Sequence, residues 1–111
     1  MRAFPPPETR MYIVSLHYDQ RPLAEVDAQL EAHRAWLDRH YAAGEFLASG
    51  PKVPRTGGVI LVRAMPRARL DALLADDPFA RAGVARHEVI EFLASKQHPA
   101  VAATGLFDAP G

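Results

Sequence analysis

The sequence predicts an α+β fold in which a four-stranded antiparallel sheet carries two helices on one face. Three observations support this prediction. The 111 residues are enough for one domain. Hydrophobic residues make up 49% of the chain and charged residues 23%, as in a folded globular protein. The hydrophobic pattern then switches between strand and helix periods in the order β-α-β-β-α-β, which is the order of the ferredoxin-like fold.

The first strand is predicted over Met11 to Tyr18, a run rich in β-branched and aromatic residues. It ends at the turn-forming sequence Asp19-Gln20-Arg21-Pro22. Because side chains alternate between the two faces of a strand, one face is expected to belong to the core. The side chains of that face are Tyr12, Val14, Leu16 and Tyr18. The other face is mixed, as in a sheet that meets a partner or a ligand, and consists of Met11, Ile13, Ser15 and His17.

The first helix is predicted from about Leu23 to Ala43, where apolar residues recur with a helical period. The apolar stripe consists of Val26, Leu30, His33, Leu37 and Tyr41. Charged residues fall on the opposite side, at Asp27, Glu31, Arg34, Asp38 and Arg39. Gly44 follows at the position of a C-terminal cap.

Two further strands are predicted after this helix. The first of them is short and covers Glu45 to Ser49. The segment Gly50 to Gly57 is dense in turn-forming residues and is predicted as a loop. The next strand covers Gly58 to Ala64 and contains the run Val-Ile-Leu-Val.

A second helix is predicted to begin at Met65-Pro66, with the proline at its first position. Its apolar residues are Leu70, Leu73 and Leu74. Asp77-Pro78 breaks this helix and begins a single further turn, Phe79 to Ala82, which Gly83 closes. The fourth strand is predicted over His87 to Leu93.

The predicted elements divide the chain into three segments: a proline-rich N-terminal extension (1–10), a folded domain (11–94) and a C-terminal tail with little pattern (95–111). Three consecutive prolines favour an extended conformation in the first segment. The sheet face opposite the helices has no helix of its own, so an apolar face there would need a cover. A second copy of the chain is the simplest cover, which predicts a homodimer through this open face.

The composition argues against several classes of function. The 13 basic and 13 acidic residues give a formal charge of zero, which disfavours nucleic acid as a partner. Without cysteine the chain has no disulfide, thiolate nucleophile or cysteine-based zinc site. No apolar run approaches the roughly 18 residues of a membrane helix, and the N-terminus lacks the apolar core of a signal peptide. We therefore expect a soluble, cytoplasmic protein that binds no membrane.

His33 is the first candidate for chemistry, because it lies in the middle of the predicted apolar stripe. A histidine there is either a core residue with one satisfied hydrogen bond or a site residue that faces a cavity. A carboxylate partner would favour the second interpretation, because it fixes the tautomer and holds the imidazole as a general base. Asp77 is the best candidate, although an aspartate before Pro78 is also an ordinary N-cap. Asp76 is the alternative carboxylate, at a helix end where negative charge is unfavourable.

The segment Ser49-Gly50-Pro51-Lys52 is the second candidate region. Ser49 offers a hydroxyl, and Gly50 permits close approach of a ligand to the backbone. Lys52 and Arg55 could bind a carboxylate or a phenolate. The alternative interpretation is a hairpin loop with solvated charges.

The remaining histidines are His17, His40, His87 and His98. His40 lies two helical turns from His33, too far to share a metal ion. No H-E-x-x-H and no two-histidine-one-carboxylate spacing occurs, so no metal is predicted. No G-x-G-x-x-G, P-loop or G-x-S-x-G sequence occurs either, and no cofactor is predicted.

Three segments together resemble the YCII-related (YciI-like) family: Glu31-Ala-His-Arg-Ala-Trp-Leu37, Gly44-Glu-Phe-Leu-Ala-Ser-Gly-Pro51 and Asp76-Asp-Pro-Phe-Ala-Arg-Ala-Gly-Val84. Their order and spacing carry the resemblance, which runs from about Met11 to Leu93. Arg34 departs from it, since relatives often carry leucine after the histidine. This position points away from the predicted apolar stripe, so we expect the site to be undisturbed.

The resemblance implies a dimeric α/β barrel and a site built on a His–Asp pair, which maps onto His33 and Asp77. Most members lack an established reaction, and lyase or dehydrohalogenase chemistry on small, often aromatic compounds is the activity usually linked to the family. The expected function is therefore cofactor-independent proton transfer to or from a small organic molecule, with Ser49, Gly50 and Pro51 lining the pocket. Two alternatives remain: a non-catalytic small-molecule binding protein on the same fold, and a cofactor-free monooxygenase.

Overall fold

The computed structural model describes residues 10–108. Their strands are β1 (Arg10–His17), β2 (Phe46–Pro51), β3 (Gly57–Val62) and β4 (Arg86–Leu93). Their helices are α1 (Leu23–Ala28), α2 (Leu30–Ala42), α3 (Arg67–Ala75), α4 (Pro78–Arg81) and α5 (Pro99–Thr104). The proline-rich extension predicted over 1–10 lies, apart from its last residue, outside the described residues.

The strands form one antiparallel sheet in the order β2-β3-β1-β4. The chain therefore alternates as the sequence predicts, and the α+β fold with a four-stranded antiparallel sheet is confirmed. The central strands are β3 and β1. The last strand, β4, pairs with β1 and forms one edge of the sheet, and β2 forms the other edge. Among residues 10–108, no helix is long and apolar enough to cross a membrane.

The main core lies between one face of the sheet and the helices α1 to α4. Tyr12, Val14 and Leu16 of β1 are at most 1% exposed, as predicted for this face. The helices contribute the remaining large side chains, which include Val26, Trp36, Leu70, Leu73 and Phe79. The indole N–H of Trp36 donates a hydrogen bond to the carbonyl of Leu73 at 3.1 Å, which joins α2 to α3.

The prediction of a single helix over about residues 23–43 is wrong, because the chain forms two helices that are separated at Gln29. The backbone there has φ −101° and ψ −1°, and Gln29 ends α1 and begins α2. A helical period does not continue in phase across such a break, so the predicted stripe holds only in part. His33 and Trp36 are buried, whereas Tyr41 is exposed.

The prediction that Gly44 ends the helix is confirmed. Its φ of +74° is a left-handed conformation that favours glycine. The N–H of Gly44 donates to the carbonyl of Tyr41, and the N–H of Glu45 donates to the carbonyl of His40. These two bonds form a Schellman motif and return the chain towards β2.

The boundary of β2 differs from the prediction, which assigned Gly50 and Pro51 to a loop. Gly50 pairs with Val59 and Pro51 with Gly58, so β2 continues through Pro51. A proline is tolerated there because β2 is an edge strand and its other side forms no ladder. Pro66 also differs, since it is the N-cap of α3 and not its first residue.

The C-terminal tail, whose sequence has little pattern, contains α5. This helix begins at Pro99 and ends at Gly105, whose φ is +67°. The segment packs on one end of the open sheet face, where Met11, Ala64 and Ala94 form a second buried cluster with Phe107. The described residues leave the remainder of that face exposed, with Ile90 50% and Val59 38% exposed.

Candidate active site

His33 of α2 and Asp77, the residue before α4, lie in contact. Nδ1 of His33 donates a hydrogen bond to Oδ1 of Asp77 at 2.7 Å. His33 is 7% exposed, and Asp77 is fully buried. Asp76, the alternative carboxylate, is exposed to solvent.

Asp77 is at the same time the N-cap of α4. Its Oδ1 accepts the backbone N–H of Phe79 at 2.9 Å, and Pro78 is the first residue of the helix. The two interpretations that the sequence left open therefore describe one side chain. Because the cap fixes the carboxylate to the backbone, the hydrogen bond to the histidine has a rigid acceptor.

His87, on β4, is a third member of this cluster. Its Nε2 donates a hydrogen bond to Oδ2 of Asp77 at 2.8 Å. His87 was not among the candidate residues predicted from the sequence, although the alternation of side chains along β4 contains a signal for it. His87 pairs with Leu16 and lies on the same face as Val89, which is the face that meets the helices.

The carboxyl group of Asp77 is ionised in this setting. Burial raises its pKa, but the hydrogen bonds from His33, His87 and the Phe79 N–H outweigh burial, so the pKa lies below its usual value. A carboxylate has no proton to give, so both histidines donate to it. The proton of neutral His33 therefore lies on Nδ1, which leaves a lone pair on Nε2.

Nε2 of His33 faces accessible space. Every buried side-chain nitrogen or oxygen of the described residues has a hydrogen-bond partner, and Nε2 has none within them. His33 lines a cavity of about 410 Å³ between the helices α1 and α2 and the strands β1, β2 and β3. The ring of Phe79 stacks on the imidazole at 3.9 Å with an angle of 4° between the planes, which fixes the orientation of the ring.

The cavity has the size of a small-molecule site and mostly apolar walls. The apolar side chains include Leu16, Leu30, Leu37 and Ile60. The predicted residues Ser49, Gly50 and Pro51 line it from β2. The hydroxyl of Ser49 lies 2.6 Å from that of Tyr41, so it is already held by a partner from α2.

Two spacings along α2 explain why His33 belongs to both the core and the cavity. Leu30, His33, Arg34 and Leu37 follow the spacing i, i+3, i+4, i+7 and all line the cavity. His33 and Trp36 share the neighbouring face, which is buried in the core. The imidazole therefore lies at the border, with Nδ1 directed to the interior and Nε2 to the cavity.

Arg34 was predicted to point away from the apolar stripe, but it lines the cavity together with His33, Leu30 and Leu37. Asp27, also predicted on the solvated side, lines the cavity too, since it belongs to α1 and the break at Gln29 changes the helical phase. Its Oδ1 accepts a hydrogen bond from Nη2 of Arg55 at 2.6 Å. Lys52, the other predicted anion-binding residue, is not among the residues that line this cavity.

Within residues 10–108, no three histidine, aspartate or glutamate side chains approach one another as metal ligands would. His40, two helical turns from His33, forms a hydrogen bond of 2.8 Å between its Nδ1 and Oε1 of Glu45. Glu45 also accepts two hydrogen bonds from Arg69. This group of His40, Glu45 and Arg69 joins α2 to α3 and lies outside the cavity lining.

Comparisons with known proteins agree with this architecture. The model of the YCII-related domain matches residues 11–93. No curated protein matches the chain. Among solved structures, 5-chloro-2-hydroxyhydroquinone dehydrochlorinase (TftG) from Burkholderia phenoliruptrix AC1100, in complex with 2,5-dihydroxybenzoquinone, is similar with a TM-score of 0.63. The identity is 20%, and the match covers 74% of this chain and 92% of the dehydrochlorinase, which shows a shared fold.

Proposed function

This chain belongs to the YCII-related family, and on that premise we propose that it is a lyase or dehydrohalogenase that acts on a small organic molecule. The observation that carries this proposal is the hydrogen bond from Nδ1 of His33 to Asp77, which directs the free Nε2 into the cavity. That a structural neighbour is a dehydrochlorinase supports the choice of reaction class.

In the proposed reaction, Nε2 of His33 acts as the general base. It removes a proton from a carbon or hydroxyl of the substrate, and the electron pair of the broken bond forms a new π bond. The leaving group, a halide in the dehydrohalogenase case, departs with its own bonding pair. The substrate thus loses one proton, held by His33, and one anion, released to solvent. Such proton transfer contributes roughly 10²–10⁴-fold to the rate.

Asp77 supports this step without touching the substrate. Its carboxylate holds the productive tautomer of His33 and lowers the free energy of the imidazolium that forms when the base takes the proton. The stacked ring of Phe79 restricts rotation of the imidazole. Ser49, Gly50 and Pro51 form the wall of the cavity on the β2 side, where they would position the substrate. No step of this scheme uses a cofactor.

The proposed assembly is a homodimer that forms through the open sheet face, as in a dimeric α/β barrel. Exposed apolar side chains on a sheet face favour association, because a second copy removes them from water. Ile13 pairs with Ile90 on this face, and Val59 pairs with Ser15 beside them. This apolar strip continues from the cluster of Met11, Ala64 and Ala94, against which Phe107 packs.

Chloride release tests the proposed reaction. The substrates are 5-chloro-2-hydroxyhydroquinone, the compound named for the neighbour, and other chlorinated hydroquinones. We expect release by the wild-type chain and a loss of about 10²-fold or more in His33→Gln. The matched control is His98→Asn, which changes an exposed histidine that caps α5 and leaves the cavity intact.

Full chloride release by His33→Gln would contradict the proposed role of the imidazole. Binding of these compounds in the cavity, with each recovered unchanged, would instead favour the non-catalytic binding protein. Thermal-shift measurements with the same compounds detect binding independently of turnover, because a ligand of the folded state raises the unfolding temperature.

A further inference from the structure

We propose that the ligand of this cavity is a small organic anion, with an apolar body and one carboxylate or phenolate group, and that Arg34 binds its acidic group. The inference deepens the proposed function, on which it rests only for calling this ligand a substrate. It assigns a specificity-determining role to a residue that the resemblance to the family did not include.

The first observation is the position of Arg34. It follows His33 in α2, and both residues line the same cavity. The other residues of this helical face, Leu30 and Leu37, are apolar. A guanidinium in such a place presents several N–H donors in a planar fork that fits a carboxylate. A ligand that fills the cavity beside His33 therefore has one strong cationic group within reach.

The second observation is that this charge has no partner within the described residues. Five arginines form ion pairs there, namely Arg10, Arg55, Arg67, Arg69 and Arg86, and Arg34 does not. Glu31 and Asp38 lie at i−3 and i+4 from Arg34, the spacings at which helical ion pairs form, yet neither is within ion-pair distance. The guanidinium thus remains available to a ligand.

The third observation is the balance of charge around the cavity. Arg55 also lines it, but its guanidinium is bound to Asp27 at 2.6 Å and lies over the ring of Tyr18. Asp77 is fully buried behind His33, and both of its oxygens are occupied. The lining therefore holds one uncompensated positive charge, that of Arg34, next to apolar walls.

The charged group of Arg34 selects for an anion even though the residue is exposed to solvent where it borders the cavity. Solvent screens part of its charge, but a hydrogen bond between charged groups is stronger than one between neutral groups. A neutral ligand of the same shape gains the apolar contacts only. The sequence had suggested Lys52 and Arg55 for this role, and the geometry transfers it to Arg34.

Equilibrium binding of matched acid and amide pairs tests the proposal. The probes are benzoate and benzamide, phenylacetate and phenylacetamide, and cinnamate and cinnamamide, followed by NMR chemical shifts of the cavity residues. We expect the wild-type chain to bind at least one acid about tenfold or more tightly than its amide. Arg34→Gln should lose this preference, and Arg34→Lys should keep part of it because the charge remains.

Two further variants sharpen the test. Arg39→Gln is the matched control, since it removes the same charge from an exposed position of α2 outside the cavity, and it should keep the wild-type preference. Asp27→Asn should move the affinity in the opposite direction, because it frees Arg55 at the cavity and removes a repulsive carboxylate.

Three outcomes would overturn the proposal. The wild-type chain could bind acids and amides with equal affinity, or bind none of the three acids up to millimolar concentration. The third is an unchanged preference for the acid in Arg34→Gln. These outcomes are distinct from failure of the proposed function. Anion binding through Arg34 without any turnover would contradict the lyase activity only. Turnover of neutral compounds that depends on His33 but not on Arg34 would contradict the present inference only.

Discussion

His87 and Asp77 are joined by a hydrogen bond of 2.8 Å between Nε2 and Oδ2, on the oxygen that does not bind His33. The carboxylate therefore connects three elements: α2 through His33, α4 through its cap, and β4 through His87. A single buried group that satisfies three donors contributes to stability and also fixes the candidate base.

The first prediction concerns the stability that Asp77 provides. Asp77→Ala leaves two histidine N–H groups and the Phe79 N–H without their acceptor, so we expect the free energy of unfolding to fall by roughly 3–5 kcal/mol. Asp76→Ala is the control, because this neighbouring acid is exposed, and it should change stability by less than about 1 kcal/mol. Denaturant titration of both variants measures the difference, and equal losses would contradict the prediction.

The second prediction concerns acid stability. Since the pKa of Asp77 is lower in the folded chain than the usual value of an aspartate, the unfolded chain binds the proton more readily. The stabilising contribution is complete above the ordinary pKa and is lost as pH falls through the lower folded value. The free energy of unfolding should therefore decrease over this acidic range, and less steeply in Asp77→Asn.

Glu45 sets a background to that measurement. Burial raises its pKa, but hydrogen bonds from Arg69 and His40 outweigh burial and lower it. The stability that Glu45 contributes is lost over the same acidic pH range in the wild type and in Asp77→Asn. The stability profile of Asp77→Asn should therefore be less steep than that of the wild type, but not flat. Denaturant unfolding at a series of acidic pH values provides both profiles; parallel curves would count against a lowered pKa for Asp77.

The third prediction assigns His87 a positioning role, because it binds Asp77 and does not line the cavity. His87→Leu removes a donor from a buried carboxylate oxygen, so the pKa of Asp77 should rise and stability should fall by about 1–3 kcal/mol. His87→Gln keeps an N–H donor, so the pKa of Asp77 and the free energy of unfolding should both return towards their wild-type values. Carboxyl ¹³C shifts follow the titration of Asp77, and an unchanged titration in His87→Leu would exclude this role.

The fourth prediction tests the proposed dimer. Ile90→Glu places a charge in the open apolar face and should shift sedimentation from dimer to monomer. Val53→Glu is the control, because Val53 is 96% exposed on the β2–β3 loop, away from that face. A wild-type chain that sediments as a monomer at micromolar concentration, or an Ile90→Glu chain that remains dimeric, would contradict the proposed interface.

Much of the fold follows from the sequence because local periods determine it. Alternation in β1 predicts that Tyr12, Val14 and Leu16 are buried, and glycine predicts the helix end at Gly44. The break at Gln29 has no proline or glycine to mark it, so local pattern alone does not predict it. The phase of α2, and with it the exposure of Tyr41, depends on that break.

The candidate site divides in the same way. His33 is visible as a polar residue among apolar ones, and Asp77 as an acid before a proline. His87 reaches the carboxylate only because β4 pairs with β1 in a particular register. The role of Arg34 cannot be predicted from spacing alone. It depends on where the cavity lies along α2, and the packing of the helix on the sheet determines that position.

The position of the proton on the His33 ring is the sharpest test of a base held by Asp77. In ¹⁵N-labelled protein at mildly alkaline pH, where free imidazole is neutral, long-range ¹H–¹⁵N spectra distinguish the two ring nitrogens. We predict that His33 carries its proton on Nδ1 and that Asp77→Asn shifts this tautomer balance. A proton on Nε2, or ring signals that Asp77→Asn leaves unchanged, would contradict the proposal that Asp77 holds His33 as the general base.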